Sequence, residues 1–366
     1  MAPRTGAMEG LEMTPSWWRG RTVFITGHTG FKGAWLCLLL DRLGAKVRGY
    51  SLPPPTDPSL FTLADVHELA ETQNADVRDL PRLTDALRQS RAEIVIHLAA
   101  QSLVRQSYLD PVGTYSVNLM GTVNLLEAVR QVGEDVRAVV VVTTDKCYEN
   151  RESERGYLET DPLGGHDPYS SSKACAELAT SAYRRSFFDG TTTAIASARA
   201  GNVIGGGDWS RDRLIPDLLR AFAAGKRAVI RNPDAVRPWQ FVLDPLCGYL
   251  NLLEHLMEEG RGFAEAWNFG PMDEEARPVR WIADQMAAHW SDGAAWEPSP
   301  SRQPPETAYL KLDAGKAMQR LLWRPHTDLP TALKWTAQWY KAWHRGENVR
   351  RISRDQIDEF LQLPDR

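Results

Sequence analysis

Short apolar runs alternate with longer segments of helical periodicity through the first two hundred residues of the chain. Apolar runs bounded by turn residues are typical of buried strands, whereas an apolar stripe that repeats every third or fourth residue is typical of a helix. The runs predicted as strands are 21–26, 45–50, one that closes at 74–79, 94–101, 139–144 and 193–198. The segments predicted as helices are 34–43, 80–87, 114–132 and 169–188. This alternation predicts an α/β fold with a doubly wound parallel sheet of the Rossmann type.

The pattern changes after residue 200, where glycines and prolines interrupt the alternation of strands and helices. Eight of the thirteen tryptophans lie at or beyond Trp267, in a region that reads as mixed loops and helices. We therefore predict a nucleotide-binding domain over 19–200, to which 238–270 returns. A smaller substrate-binding lobe is predicted from 201–237 and 271–350. Residues 1 to about 18 are expected to form a loosely ordered leader.

Charge and cysteine content exclude several classes of protein. A net charge of −4 means that the chain has no excess of basic residues for binding nucleic acid. No apolar stretch is long enough to span a bilayer, and the N-terminus lacks the apolar core of a signal peptide. The cysteines show no C-x-x-C spacing, so neither a metal site nor a disulfide framework is expected; they are Cys37, Cys147, Cys175 and Cys247. The expected protein is a cytoplasmic enzyme with no membrane or nucleic-acid partner.

A glycine-rich loop follows the first predicted strand directly and opens the first predicted helix. Its glycines permit a tight turn and let the backbone approach a pyrophosphate, while the helix N-terminus offers free N–H groups to phosphates. The spacing is G-x-x-G-x-x-G and not the standard fingerprint, but the strand, loop and helix context favours a dinucleotide cofactor. The loop residues expected to hold it are Gly27, Thr29, Gly30, Phe31, Lys32 and Gly33.

The ends of the next strands bear on the identity of that cofactor. An acid after the second strand would bind the ribose of NAD, but Ser51 stands there, and Arg48 is more typical of an outward strand residue than of a 2′-phosphate ligand. This position does not decide whether the cofactor is NAD or NADP. Asp76 can either accept a hydrogen bond from the adenine or cap the following helix. The fourth predicted strand ends in residues that suit close contact with a cofactor, namely Leu98, Ala99 and Ala100.

Two segments are predicted to bring four ionisable groups to one edge of the sheet. The apolar run 139–142 leads through two threonines to Asp145 and Lys146. The motif Tyr169-x-x-x-Lys173 places a phenol and an ammonium one helical turn apart on the same face. Ligands of open α/β sheets bind at the carboxyl ends of the strands, so this edge is the predicted active site. His97, flanked by apolar residues, is expected to be a core histidine.

These motifs resemble those of the extended short-chain dehydrogenase/reductases, and within them the NAD-dependent sugar-nucleotide 4,6-dehydratases. The resemblance extends from about residue 20 to 345 and is carried by the stretches 27–33, 97–101, 143–150, 167–173, 198–209, 237–240 and 267–271. The run Asp145-Lys146-Cys147-Tyr148-Glu149-Asn150 is the specific one. Related TDP-glucose dehydratases carry Asp-Glu at its start, and 4-epimerases carry no acid–base pair there.

The resemblance implies bound NAD and a CDP-glucose substrate. It implies oxidation at carbon 4 of the hexose, elimination of water across carbons 5 and 6, and return of the hydride to carbon 6. The product would be CDP-4-dehydro-6-deoxy-D-glucose, for deoxysugar and lipopolysaccharide O-antigen biosynthesis. Three alternatives stay open: a 4-epimerase, a dehydratase acting on a TDP- or UDP-hexose, and a non-catalytic NAD-binding protein.

The same resemblance assigns roles to individual residues. Tyr169 is the expected base for the 4-hydroxyl, with its pKa lowered by Lys173 and by the positive nicotinamide, and Thr144 is expected to hydrogen-bond that hydroxyl. Asp145 is the expected acid for the departing 6-hydroxyl. Lys146 is the candidate base at carbon 5, only slightly favoured over a salt bridge in which it merely orients Asp145.

Further contacts are implied on both sides of the predicted cleft. Additional cofactor contacts are expected from Val77, Asn118, Thr143 and Arg199. Substrate contacts are expected from Gln101, Asn202, Arg213, Leu214, Ile215, Arg237 and Asn268, with the asparagines and Arg237 on the diphosphate and 213–215 around the base. Helices 114–132 and 169–188 are expected to pair across a two-fold axis as a four-helix bundle, in a homodimer or homotetramer.

Overall fold

A seven-stranded parallel sheet forms the centre of the structure, a computed structural model that describes residues 14–151, 155–272, 275–300 and 310–363. The strands of the described residues are β1 Thr22–Thr26, β2 Lys46–Ser51, β3 Ala70–Asn74, β4 Ile94–His97, β5 Ala138–Val142, β6 Ala194–Ala200, β7 Asn202–Ile204, β8 Ala228–Ile230, β9 Val236–Arg237, β10 Trp239–Phe241, β11 Ala266–Phe269, β12 Arg277–Pro278 and β13 Trp296–Pro298. The large sheet has the strand order β3-β2-β1-β4-β5-β6-β11, and every pair of neighbouring strands in it is parallel. This is the doubly wound order with one strand added, so the predicted Rossmann-type fold is confirmed.

Helices pack on both faces of this sheet. The helices of the described residues are α1 Phe31–Arg42, α2 Leu60–Leu63, α3 Leu80–Ser90, α4 Val104–Leu109, α5 Pro111–Tyr115, α6 Gly121–Val132, α7 Pro168–Phe187, α8 Leu214–Ala223, α9 Leu243–Glu259, α10 Val279–Trp290, α11 Gly315–Arg320, α12 Leu329–His344 and α13 Val349–Phe360. Along β1, Val23 and Ile25 join a hydrophobic cluster with α1 and α9, while Phe24 joins a second cluster with α3 and α6. Because both faces are covered, β5 is an unbroken run of buried residues.

The carboxyl ends of β1, β4 and β5 lie next to one another at one edge of the sheet. The chain order reverses between β1 and β4, which is the position where ligands of such sheets bind. Helix α7 begins nearby because Asp167 caps it, accepting a hydrogen bond of 2.9 Å from the Ser170 backbone N–H, and Pro168 occupies its first turn. This start places Tyr169 in the first turn of the helix.

Three predicted elements differ from the structure. The third strand is β3, which begins four residues before the predicted segment 74–79. Its sequence Ala-Glu-Thr-Gln-Asn is polar because β3 lies at the edge of the sheet, so it gave no apolar signal. The helix predicted from 114 begins at Pro111 and includes a π-helical turn, Ser116–Met120, between α5 and α6. The end of the predicted leader is ordered, because Trp18 is fully buried and donates a 2.7 Å hydrogen bond to Glu254; residues 1–13 lie outside the described part.

The chain beyond residue 200 both leaves the sheet and returns to it. Strand β11 pairs with β6, and α9 packs in the same core cluster as α1. The helices α8, α10 and α12 pack on one another beside the sheet, with small two-stranded pairs such as β8 and β13. The division into a nucleotide-binding domain and a substrate-binding lobe stays a prediction.

Within the described ranges, no helix is long and apolar enough to cross a bilayer, and no group of three or more His, Cys, Asp or Glu residues is arranged to hold a metal ion. His97 is the core histidine that the sequence predicted. Its Nδ1 lies 2.6 Å from the Thr26 hydroxyl and its Nε2 lies 3.2 Å from the Thr122 hydroxyl. Burial lowers the pKa of His97 to about 3, so the ring is neutral.

Candidate active site

The glycine loop packs tightly against the end of β4. Gly27 has a φ of +78°, and a Cβ there would lie 2.6 Å from the Ala99 backbone nitrogen. A Cβ on Gly33 would lie 2.3 Å from the Gly27 carbonyl oxygen, so both positions admit only glycine. Gly30 is the N-cap of α1 and provides no side-chain cap. The free N–H groups of this helix therefore lie at the reversal of strand order, a cradle whose shape fits a dinucleotide.

The end of β2 is organised by hydrogen bonds to the glycine loop. The Thr29 hydroxyl lies 2.8 Å from the Ser51 hydroxyl and donates to the Leu52 carbonyl over 2.8 Å. Arg48 forms a salt bridge with Glu71 on the neighbouring β3, which agrees with the interpretation of Arg48 as a strand residue. Because Arg48 is paired with Glu71, its guanidinium is not directed toward the position of a 2′-phosphate of NADP.

Asp76 and Val77 lie just beyond β3, beside the same edge. The Asp76 carboxylate accepts hydrogen bonds of 3.0 Å from the Arg78 guanidinium, which lowers the pKa of Asp76. The suggested capping role belongs to Asp79, whose side chain accepts from the Arg82 N–H at the start of α3. Val77 is buried.

The segment after β4 is held by Asn118 in the π-helical turn. The Asn118 amide oxygen accepts from the Gln101 N–H over 2.8 Å, and its Nδ2 donates to the Gln101 carbonyl over 3.0 Å and to the Ser172 hydroxyl over 2.9 Å. Asn118 therefore positions the half-buried residues 98–101 against α7. The Gln101 side chain folds back onto its own loop, donating to the Leu103 carbonyl and accepting from the Leu103 N–H.

The predicted catalytic residues meet beyond the end of β5. The Thr144 hydroxyl donates to Asp145 Oδ1 over 2.9 Å, and Thr144 is near enough to Tyr169 to act on the pKa of its phenol. Asp145 is 1% exposed, and its Oδ2 has no hydrogen-bond partner among the described residues. Lys146 Nζ lies 3.5 Å from Asp145 Oδ1 with its side chain 30% exposed. This geometry matches a salt bridge, which is compatible with either expected role of Lys146.

The environment of Tyr169 differs from the prediction. Burial raises the pKa of Tyr169 to about 12, against the lowering effects of the Thr144 hydrogen bond and the Arg213 charge. Lys173 was expected to lower it, but Lys173 Nζ donates to the Val142 carbonyl over 3.2 Å and its own pKa is lowered by burial to about 8. In the structure, burial therefore outweighs the groups that favour the phenolate of Tyr169.

Two more cations line the same centre. Lys32, in the first turn of α1, donates to the Tyr249 hydroxyl over 3.4 Å. Burial, together with the charges of Arg213 and Lys173, lowers the pKa of Lys32 to about 7, while Asp145 acts in the opposite direction. Arg213 donates to Asp208 Oδ2 over 3.0 Å and to the Ser102 hydroxyl over 3.3 Å. The site therefore concentrates positive charge around one buried carboxylate.

A buried polar network lies behind this centre and contains three residues predicted to contact ligands. The Thr143 hydroxyl donates to Glu177, and Arg199 donates to Glu177 Oε2 and to the Tyr148 hydroxyl, each over 2.8 Å. Asn268 is fully buried: its Oδ1 accepts from Tyr148 over 2.7 Å, and its Nδ2 donates to the backbone carbonyls of 157 and 313.

These contacts show the surroundings of Thr143, Arg199 and Asn268 in the protein. Each side chain points into the protein and forms hydrogen bonds there, so a contact between that side chain and a ligand stays a prediction. Thr143 just beyond β5, Arg199 on β6 and Asn268 on β11 are all buried, and a buried polar side chain is stable only with internal partners.

The remaining predicted substrate residues lie in the part of the chain beyond β6. Arg237 is half-buried on β9, with its Nη1 donating to the Val236 carbonyl over 2.9 Å. Asn202 is half-buried at the start of β7, and Leu214 is half-buried at the start of α8. Ile215 is 3% exposed and belongs to the hydrophobic core, so it is less accessible than predicted.

Glu177 was missed by the sequence interpretation. It lies on α7 one turn beyond Lys173 and is 3% exposed. A usable signal existed, because an acid on the same helical face as the Tyr-x-x-x-Lys pair must be buried with them and needs a partner. That partner could have been sought in Arg199, on a strand otherwise composed of small and apolar residues.

Comparisons with known proteins agree with this geometry. Residues 24–336 match the GDP-mannose 4,6 dehydratase family. The chain is 49% identical over 356 residues to the CDP-glucose 4,6-dehydratase of Salmonella typhimurium strain LT2, covering 96% of this chain and 99% of that protein. It is similar in structure to the UDP-glucose 4-epimerase of Thermus thermophilus in complex with NAD, with a TM-score of 0.74, 25% identity and coverage of 87% and 99%.

The fold is shared with a further solved structure. This is the dTDP-glucose 4,6-dehydratase of Streptomyces venezuelae with NAD bound, at a TM-score of 0.76 and 22% identity, covering 90% of this chain and 99% of that one. Both the long, nearly complete match to a relative and the family match extend across the sheet and the residues beyond it. The chain therefore belongs to the GDP-mannose 4,6 dehydratase family.

Proposed function

We propose that the protein is an NAD-dependent lyase that converts CDP-D-glucose into CDP-4-dehydro-6-deoxy-D-glucose and water. The observation that carries this proposal is the buried Asp145 carboxylate beside Tyr169, with one oxygen held by Thr144 and the other without a partner. An oxidoreductase that only oxidises a hydroxyl has no use for a second acid at this position. The CDP-glucose activity of a relative 49% identical over 96% of the chain supports the substrate.

NAD, when bound, would supply a hydride acceptor for carbon 4 of the hexose and later a hydride donor for carbon 6. The glycine loop and the N-terminus of α1 are proposed to hold its diphosphate. Lys173, one turn from Tyr169, is proposed to contact the nicotinamide ribose, and residues 98–100 to lie along the cofactor.

The first task of the protein is to remove the proton of the 4-hydroxyl. Tyr169 is proposed as the base, with Thr144 hydrogen-bonded to the same hydroxyl. Burial raises the pKa of Tyr169 to about 12, and the positive charge of bound NAD would act to lower it.

The second task is to expel the 6-hydroxyl as water. Once carbon 4 is a ketone, the hydrogen on carbon 5 is acidic and can be removed by a side chain. Asp145, in its protonated form, is proposed to protonate the leaving oxygen through its unpartnered Oδ2. Lys146, in its neutral form, is proposed to accept the proton from carbon 5. Transfer of one proton from Lys146 to Asp145, whose Nζ and Oδ1 lie 3.5 Å apart, would put both groups into these forms.

The nucleotide part of the substrate is proposed to lie beyond β6. Arg237 and Asn202 would contact the diphosphate, and Arg213 with Leu214 would border the base. Guanidinium groups bind phosphate through paired hydrogen bonds, which supports this use of the arginines.

The activity is tested by incubating the purified protein with CDP-, TDP-, UDP- and GDP-glucose and analysing the products. We expect a 4-keto-6-deoxy sugar from CDP-glucose. With deuterium on carbon 4 of the hexose, the label should appear in the methyl group of the product. A product epimerised at carbon 4, or a methyl group without deuterium, would reject the proposal.

Replacement of Tyr169 by phenylalanine is expected to slow oxidation of the sugar by about 10²- to 10⁴-fold, because the base is lost while the ring is kept. Stopped-flow detection of reduced NAD after mixing with CDP-glucose measures this step. Phenylalanine fills nearly the same volume, so the thermal midpoint should stay close to wild type. An unchanged rate would remove Tyr169 from the mechanism.

We further propose that the protein forms a homodimer through the predicted helices. An exposed apolar patch lies on α4, α5, the π-helical turn and α7, and consists of Tyr108, Leu109, Val112, Met120, Leu178 and Phe187. Leu109 is 80% exposed and Val112 is 78% exposed, which is unfavourable for side chains that remain in water. Met120, Leu178 and Phe187 lie within the two segments expected to pair, and Tyr108, Leu109 and Val112 lie just before the first of them. Burial in a dimer would cover these side chains.

Replacement of Leu109 and Leu178 by glutamate is expected to convert the dimer into a monomer, because both charges would be buried in the interface. Sedimentation measures the change in mass. Val229, 55% exposed on β8, provides the matched control, and Val229→Glu should leave the dimer intact. A wild-type monomer, or a double variant that stays dimeric, would contradict this interface.

We also propose a cytoplasmic location, since Cys37, Cys147 and Cys175 are thiols, which persist in a reducing compartment. The keto-deoxy product is proposed to supply deoxysugar synthesis for the lipopolysaccharide O-antigen.

A further inference from the structure

We infer that Glu177 is a positioning residue of the reaction, because its buried carboxylate ties the end of β5 to the catalytic helix α7. The inference rests on the proposed function, in which the segment after β5 carries Thr144 and Asp145 and α7 carries Tyr169. These groups must act on adjacent carbons of one sugar, so the spacing between the two segments is a catalytic requirement.

Two side chains on one face of α7 bind two consecutive residues at the end of β5. Lys173 Nζ donates to the carbonyl of Val142 over 3.2 Å, and Glu177 accepts from the hydroxyl of the next residue, Thr143. Thr143 directly precedes Thr144. The catalytic segment is therefore fixed to the helix immediately before its first functional residue.

The other oxygen of Glu177 is held from β6. Ser197 donates to Oε2 over 2.7 Å and Arg199 donates to it over 2.8 Å, and all these side chains are buried. Burial opposes ionisation of Glu177, but the Arg199 charge and the three donors lower its pKa below the ordinary value. The carboxylate is thus fixed in position and kept negatively charged.

This charge faces Lys173 one turn earlier on α7 and favours its protonated form against burial. The other titratable groups that interact with Lys173 are Cys147, Lys32 and His97. Burial raises the pKa of the Cys147 thiol well above its ordinary value and keeps His97 neutral, and Lys32 is basic. Glu177 therefore supplies the negative charge that stabilises the Lys173 ammonium next to Tyr169.

The chain offers a matched test, because Thr143 and Ser197 donate to the same carboxylate from different strands. Thr143→Val removes the tie to the catalytic segment, Thr143→Ser keeps it, and Ser197→Ala removes only the tie to β6. We expect Thr143→Val to slow reduction of bound NAD by CDP-glucose by about 10- to 100-fold with little change in KM. Thr143→Ser and Ser197→Ala should stay close to wild type.

Amide hydrogen exchange provides a readout that does not depend on turnover. Exchange in residues 143–147 should become faster in Thr143→Val and stay unchanged in Thr143→Ser and Ser197→Ala. Equal effects of Thr143→Val and Ser197→Ala on both rate and exchange would overturn the inference. If the wild-type protein did not act on CDP-glucose, the proposed function would fail while the exchange comparison would still decide the role of Glu177.

The charge is tested by Glu177→Gln, which keeps the shape of the side chain. The basic limb of the pH profile for NAD reduction should move to lower pH by about one unit, because loss of the negative charge lets Lys173 lose its proton more easily. If Glu177 had only a structural role, the basic limb of the pH profile would not shift. An unchanged basic limb would therefore overturn the inference that the charge of Glu177 stabilises the Lys173 ammonium. If the Gln variant does not fold, the three hydroxyl variants decide the inference.

Discussion

Asp145→Asn is expected to separate sugar oxidation from water loss. The variant should still reduce NAD in a single turnover with CDP-glucose, because Tyr169 and Thr144 are retained, but release of water should fall by about 10²- to 10⁴-fold. Asparagine is nearly isosteric and cannot act as the acid. Rapid quenching followed by mass analysis should show the 4-keto sugar accumulating with its 6-hydroxyl intact.

Lys146→Met is the companion variant. If Lys146 is the base at carbon 5, it should also stop water loss while oxidation proceeds. If it only orients Asp145, the defect should be much smaller than that of Asp145→Asn. Dehydration at the wild-type rate in Asp145→Asn would remove this residue as the acid, whatever the result for Lys146.

Arg199→Met is expected to have the largest effect on stability. Arg199 and Glu177 are 4% and 3% exposed and lie 2.8 Å apart, so removal of the guanidinium leaves a buried carboxylate without its counter-ion. Breaking such a pair costs about 3–5 kcal/mol of the free energy of unfolding. Chemical denaturation followed by tryptophan fluorescence measures the loss.

Two controls separate burial from pairing. The surface pair Arg88–Asp85 has nearly the same distance, 3.0 Å, but its side chains are 54% and 66% exposed, and Arg88→Met should cost less than about 1 kcal/mol. The double variant Glu177→Gln with Arg199→Met removes both charges and should recover part of the lost stability. An Arg199→Met protein as stable as wild type would show that the pair is dispensable.

The sequence was sufficient for the sheet and for the centre of the site because both depend on strong local patterns. The apolar run ending in Asp145 can only be a buried strand, and the carboxyl end of a parallel strand is where side chains meet ligands. Tyr169 and Lys173 follow from a helix start that Asp167 and Pro168 specify locally. These residues lie together in the structure as the motifs predicted.

The sequence was least informative where a local pattern does not show which way a side chain points. In β6 every residue is buried, so alternation of polar and apolar positions cannot reveal which face Arg199 occupies. Asn268 on β11 presents the same problem, and its partners at 148, 157 and 313 come from distant parts of the chain. Edge strand β3 was misplaced because its exposed, polar side chains lack the apolar signal of the central strands.

The unpartnered Oδ2 of Asp145 also bears on how the enzyme releases what it makes. The substrate offers this oxygen a hydroxyl on carbon 6, whereas the product carries a methyl group there and can form no hydrogen bond. A buried acceptor left unsatisfied costs about 1–3 kcal/mol, so the product should bind roughly 5- to 150-fold more weakly at this contact. We therefore expect weak product inhibition and turnover that continues as the keto sugar accumulates.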